Sequence, residues 1–223
     1  MGHQQTVCVR QNHVSRATSQ LKGAKVGVAC VIGFHEGTQG LDVKVREVRA
    51  ALDAGATELD VVLNRDHLLS RDYAAVFEEL RTLRGVSMRG KVEGEEDEAV
   101  VMKLILETSQ LGEDDVIAAC VLAGYAGWDF VKTSTGFLGR GASLEDVRVM
   151  DAVAEYLHRQ GVGPKDGHSS TVKVKVKASG GVRTYKDAVK MIGAGAMRIG
   201  TSNGMKIVQE TTATGEEQTK DEK

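Results

Sequence analysis

The chain has 223 residues, enough for one domain with a sizeable core. Its net charge of -2 sets up no field favouring nucleic acid or a membrane surface, and 4% aromatic residues are too few for a base-stacking surface. No apolar stretch approaches the roughly 20 residues that span a bilayer.

The opening residues, MGHQQTVCVRQ, lack the apolar centre of a signal peptide. Thr6–Val9 is the first β-branched run, followed by a helix-like stretch over 13–22. The pattern then repeats: Lys25–Ile32 with 40–54, Glu58–Leu63 with 71–84, Val101–Leu106 with 113–124, and Asp129–Lys132 with 143–159. Lys173–Lys177 with 184–194 and Met197–Gly200 with 202–209 complete it. Ala54-Gly55-Ala56, Ala126-Gly127 and Ala194-Gly195-Ala196 each put a glycine where a helix should close in the left-handed conformation. Such alternation predicts a parallel sheet with crossover helices. Seven repeats exceed a small doubly wound sheet and point to a (β/α)8 TIM barrel with one unit unaccounted for. Residues 1–209 read as a single domain, Gly85–Glu98 and Gly161–Ser170 as surface loops, and 210–223 as a disordered polar tail.

Cys8, Cys30 and Cys120 are odd in number and form no CxxC, so they read as reduced thiols in a cytosolic compartment. The histidines form no HxxxH or Cys/His cluster, so no dedicated metal site is expected; no cofactor is expected either. His35 and His67 read as loop residues and Cys8 as a core thiol.

The chemistry concentrates at strand ends. Phe130-Val131-Lys132-Thr133-Ser134-Thr135-Gly136-Phe137 carries an apolar run into a lysine and then a hydroxyl-rich glycine loop. Val174-Lys175-Val176-Lys177-Ala178-Ser179-Gly180-Gly181-Val182-Arg183 repeats the design. Barrel sites lie at the C-terminal ends of strands, where Lys132, Lys177 and Asp60 would sit. Strand alternation turns Glu58, Asp60 and Val62 inward together, and Lys103, Ile105 and Glu107 likewise. A lysine attacks a carbonyl only as the neutral amine, and its ordinary pKa is about 10.4. A dry pocket and a neighbouring ammonium both disfavour the charge. Lys132 beside Lys177 would meet both conditions, with Asp60 passing protons. The loops Gly180-Gly181-Val182-Arg183 and Gly200-Thr201-Ser202-Asn203-Gly204 each precede a helix, the usual place for a barrel phosphate site.

Together VCV, VIGF, ELDVVLN, MKLILET, FVKTSTGF, VKASGGVR and GAMRIGTSNG resemble, in order and from about Val7 to Val208, the deoxyribose-phosphate aldolase family. The resemblance implies a class I aldolase on a (β/α)8 barrel. Its reaction would be reversible cleavage of 2-deoxy-D-ribose 5-phosphate to acetaldehyde and D-glyceraldehyde 3-phosphate, without a metal, in cytosolic deoxyribonucleotide catabolism. It implies Lys132 as the Schiff-base lysine, Lys177 as the neighbour that lowers its pKa, and Asp60 as the proton relay. Gly136, Gly180, Gly181, Val182, Arg183, Gly200, Ser202 and Asn203 fall on phosphate-binding positions. Asn203 stands where many members have serine, its backbone N–H expected to stay available. Lys103, Glu107 and Cys8 are expected to support the pocket. The partners implied are a small phosphosugar and a second copy in a homodimer.

Departures from the family pattern keep alternatives open. Family members begin a strand and helix earlier, with the chain here starting at what resembles their second strand. Some place a C-terminal tyrosine at the site, whereas none follows Tyr185 here. Lys175 stands where glycine is frequent; alternation would bury it beneath Lys177, with Glu58 or Glu107 as its partner. An inactive phosphosugar-binding protein derived from the aldolase is the second reading. A lysine aldolase for another phosphorylated carbonyl is the third.

Overall fold

The computed structural model describes residues 5–89, 100–165 and 170–210. Seven strands pair in sequence order, every pair parallel: β1 (Thr6–Val9), β2 (Gly27–Ile32), β3 (Glu58–Val62), β4 (Val101–Ile105), β5 (Phe130–Lys132), β6 (Lys175–Ser179) and β7 (Ala196–Gly200). Between them run α1 (Val14–Gln20), α2 (Leu41–Asp53), α3 (Arg65–Leu69), α4 (Tyr73–Arg89), α5 (Glu113–Tyr125), α6 (Leu144–Arg159) and α7 (Tyr185–Gly193), and residues 204–210 are helical.

Local chemistry sets these boundaries. The Ser143 hydroxyl accepts from the Asp146 N–H at 3.1 Å to start α6, and Thr184 with Asp187 forms a capping box at α7. Gly55, Gly127 and Gly195 follow α2, α5 and α7 with φ of 93°, 73° and 115°, as the helix-closing glycines predict. On the sheet's outer face, Cys30, Ile32, Leu59, Val61, Met102, Leu104, Val131 and Val176 pack under the helices in one core. Each large side chain buried there contributes about 1.5–3 kcal/mol. Trp128 is fully buried, its Nε1 donating to the Leu80 carbonyl at 3.1 Å, and ties α4 to the start of β5.

The other face is charged, and the sheet curls so that its side chains meet across the interior. Arg198 of β7 reaches both carboxylate oxygens of Glu58 on β3 at 2.9 Å, and Lys177 of β6 reaches Asp60 of β3. This is a TIM-barrel wall lacking one strand–helix unit: among the described residues, β1 and β7 each pair with one neighbour only.

Several boundaries differ from expectation. β6 runs on to Ser179, beyond the expected stop at Lys177. His67 lies in the short helix α3, whose cap is the Asn64 side chain, and not in a loop. The first residues of the expected 85–98 loop extend α4, because Arg84 anchors that end to Asp129 at 2.9 Å and to the Val100 carbonyl at 3.2 Å. Residues 90–99 and the expected tail 211–223 lie outside the described residues, as do 166–169; Glu210 itself ends the last helix.

Candidate active site

Asp60 is the centre of the interior. It is fully buried on β3, register partner of Lys103 on β4. Lys103 Nζ lies 2.6 Å from Asp60 Oδ1 and 2.5 Å from Glu58 Oε2. The second oxygen, Oδ2, accepts from Lys132 Nζ at 2.8 Å and from Lys177 Nζ at 2.9 Å. Lys132 and Lys177 are themselves partners across β5 and β6. The expected trio therefore converges, with Lys103 as its support.

Among the described residues, the carboxylates paired with Lys103, Lys132, Lys177 and Arg198 are those of Glu58 and Asp60. Buried charge without a counter-charge is costly, so the cluster favours loss of a proton from one lysine. Burial alone would push the Asp60 carboxyl up, but the ammonium groups of Lys132, Lys177 and Lys103 hold it well below the usual range. Burial pushes Lys177 down, and the charges of Lys132 and Lys103 act in the same direction. Lys132 moves the other way: burial opposes its charge, but Asp60 outweighs it and raises the pKa. Lys177 was expected to lower Lys132. Instead both ammoniums share one carboxylate oxygen, and Lys177 is the member displaced. Two amines on one carboxylate oxygen are positioned for a proton to pass between them.

Cys8 lines the same interior from β1, its Sγ 4.0 Å from Asp60 Oδ2. It is exposed and not the core thiol expected; what surrounding it does have, together with the charge of Asp60, raises its pKa. Lys175 is also exposed. It opens β6 at the lower rim, its Nζ 5.6 Å from the Phe130 ring centroid, so it needs no buried carboxylate. Glu58 serves Lys103 and Arg198 instead.

Glu107 is fully buried, in the left-handed region at φ 57°. Its Oε2 accepts from both the N–H and the hydroxyl of Thr135, whose oxygen in turn accepts from the Phe137 N–H at 3.1 Å. Thr108 donates to Asp146 at 2.8 Å, and Arg140 clasps the same carboxylate. The loop after β4 thereby grips the loop after β5, whose Gly136 lies against Gly180.

At the mouth the main chain takes over. A Cβ on Gly141 would stand 2.2 Å from the Gly180 carbonyl, so the two loops touch backbone to backbone. The amides of Gly136, Gly181 and Val182 have no hydrogen-bond partner among the described residues, and the Arg183 side chain is exposed beside them. Gly180 N–H instead donates to the Gly200 carbonyl at 3.4 Å. Ser202 is exposed on the neighbouring loop. Asn203 departs from expectation, because its N–H is engaged by Thr201 Oγ1 at 2.9 Å; Thr201 in turn donates to the Val182 carbonyl and ties the two loops together.

The family profile described as DeoC/LacD family aldolase matches residues 1–210. The chain belongs to the DeoC/LacD aldolase family. A deoxyribose-phosphate aldolase of Coccidioides immitis is 48% identical over 206 residues, covering 92% of this chain and 68% of that protein. A crystal structure from Coccidioides immitis superposes at TM-score 0.80 with 49% identity, covering 93% of this chain and 73% of that one. A deoxyribose phosphate aldolase from Aeropyrum pernix, described as tetrameric, matches at TM-score 0.74 and 31% identity over 93% of this chain and 77% of its own.

Reading the sequence missed two features of this DeoC/LacD aldolase. Arg198 alternates with the apolar Met197 and Ile199, a signal that could have placed it inside. An aromatic group at the rim has no such signal. Phe137 sits edge-on to Phe34 at 5.2 Å and stacked on His35 at 5.6 Å, and Arg10 lies 4.9 Å over Phe34; loops after β1, β2 and β5 meet there only in space. Among the described residues no helix is long and apolar enough to cross a membrane.

Proposed function

We propose that this aldolase cleaves 2-deoxy-D-ribose 5-phosphate through a Schiff base on Lys132. The observation that carries the reading is Lys132 and Lys177 meeting on one oxygen of Asp60 inside a barrel of this family. The 48% identity to a deoxyribose-phosphate aldolase supports the substrate.

The shared proton leaves Lys132 for the Lys177–Asp60 pair, and the neutral amine adds to the C1 aldehyde. The carbinolamine then loses its hydroxyl as water, using that proton, to give the iminium. The C3 hydroxyl gives up its proton to the Lys177–Asp60 pair, now free to take it, while the C2–C3 bonding pair moves toward the iminium nitrogen. D-glyceraldehyde 3-phosphate leaves, and Lys132 keeps a two-carbon enamine. Protonation at C2 and hydrolysis release acetaldehyde and restore the amine. The free amides of Gly136, Gly181 and Val182, near the start of α7, would hold the phosphate, with Arg183 and the Gly200–Asn203 loop beside them. Asp60, clamped on Oδ1 by Lys103, keeps Oδ2 aimed at both amines. Action in cytosolic deoxyribonucleotide breakdown and assembly as a homo-oligomer belong to the same proposal.

Borohydride added with acetaldehyde tests it. A two-carbon adduct mapped to Lys132, absent in Lys132→Ala, is the expected result. A folded protein that is stabilised by the sugar phosphate but forms no adduct would instead be a binder.

A further inference from the structure

Two hydroxyls inside the barrel have no role in the chemistry above. Ser134 is fully buried and Ser179 is 5% exposed, yet neither Oγ has a hydrogen-bond partner among the described residues. Leaving a buried hydroxyl unpaired is unfavourable, and such groups ordinarily have a partner. The nearby main chain does not supply one for Ser179. Its carbonyl already accepts from Thr133 Oγ1 and the Ala142 N–H, and its own N–H donates to Thr133 Oγ1.

Their place is informative. Ser134 follows Lys132 by two residues, and Ser179 follows Lys177 by two. Alternation sets Ser179 on the face of Lys177, about 6.6 Å further toward the mouth. Ser179 Oγ lies 2.1 Å from where a Cβ on Gly200 would stand, and Lys177 Cε is 3.2 Å from the same point. Ser134 Cβ is 3.7 Å from the corresponding point on Gly180. The two serines therefore occupy the level between the lysine amines and the glycine loops. A sugar phosphate joined to Lys132 at C1 and held by its phosphate at the mouth must pass this level with its hydroxyl-bearing carbons.

We infer that Ser134 and Ser179 bind the C3 and C4 hydroxyls of the open-chain sugar phosphate, making this level a specificity site for polyhydroxylated chains. The inference rests on the substrate reading above. Serine suits the task because it offers a donor and an acceptor while leaving the channel wide.

The test uses the full chain and Ser134→Ala and Ser179→Ala. Each variant should lose about tenfold in kcat/KM for deoxyribose 5-phosphate, mostly through KM. Borohydride trapping of acetaldehyde on Lys132 should keep its wild-type concentration dependence, because acetaldehyde has no hydroxyl to lose; this also shows that the variants are folded. Inhibition by inorganic phosphate should be unchanged. Unaltered kcat/KM in both variants would overturn the inference, as would an equal loss in acetaldehyde trapping, which would make the serines supports for the lysines. Weakened phosphate inhibition would assign them to the phosphate and also overturn it. Each of these outcomes leaves the aldolase reading standing if the wild type traps acetaldehyde. Failure of the wild type to trap it would overturn both.

Discussion

In the function proposed above, the lysine cluster and the glycine mouth solve two recognition problems with opposite materials. In the cluster everything is side chain: Asp60, Lys103, Lys132 and Lys177 project from adjacent strands whose register fixes their separations. At the mouth backbone meets backbone at Gly141 and Gly180, and the amides of Gly136, Gly181 and Val182 have no partner among the described residues. A reacting carbonyl needs groups that change protonation state, which only side chains offer. A phosphate needs fixed donors, which peptide N–H groups provide without a titration. The two regions should therefore fail differently: the cluster by deletion of a side chain, the mouth by addition of one.

The largest effect expected is at the cluster. Lys132→Ala should lower kcat by about 10⁴-fold or more, since no other step can proceed without the nucleophile. Gly141→Ala probes the mouth. Its Cβ would stand 2.2 Å from main-chain atoms that cannot yield without moving the loop. A loss of about 100-fold in kcat/KM for the sugar phosphate is expected, with acetaldehyde still trapped on Lys132. Equal loss of trapping would show that the two regions are not separable.

Lys177→Leu sharpens the account of the shared proton. Removing the competitor for Asp60 Oδ2 leaves Lys132 holding its proton more firmly, so the apparent pKa of Schiff-base formation should rise. Activity near neutral pH should fall by about 10- to 100-fold and recover toward alkaline pH. An unshifted profile would make burial, and not the pair, the controlling factor.

The smallest effect on the cluster is one of stability against pH. The Asp60 carboxyl has a lower pKa folded than unfolded, where it is about 3.9. In the window below that value the unfolded chain binds more protons, so stability falls as pH falls. The contribution is complete above about pH 4 and is lost toward the folded pKa. Urea midpoints should decline over this range in the wild type. Asp60→Asn should show a shallower decline, from a starting stability about 3–5 kcal/mol lower because its lysines lose their counter-charge.

Much of this was legible in the chain. Period-two runs carrying Lys132 and Lys177, and glycines closing α2, α5 and α7, follow from local backbone sterics and need no tertiary contact. For the same reason Glu58, Asp60 and Lys103 could be placed on one face of their strands. Misplacements arose where distant contacts decide. α4 continues through Gly85 because Arg84 is tied to Asp129, and Lys175 reaches solvent because β6 begins at the rim. The engaged N–H of Asn203 depends on Thr201 bonding back to Val182 on another loop.

The sequence by itself determined that Asp60, Lys103, Lys132 and Lys177 lie on one side of their strands, because alternation acts within a few residues. Only the tertiary structure decided which charges meet. Four cations from β4, β5, β6 and β7 converge on two carboxylates of β3, and the resulting pKa directions depend on distances of 2.5–2.9 Å between groups far apart in the chain.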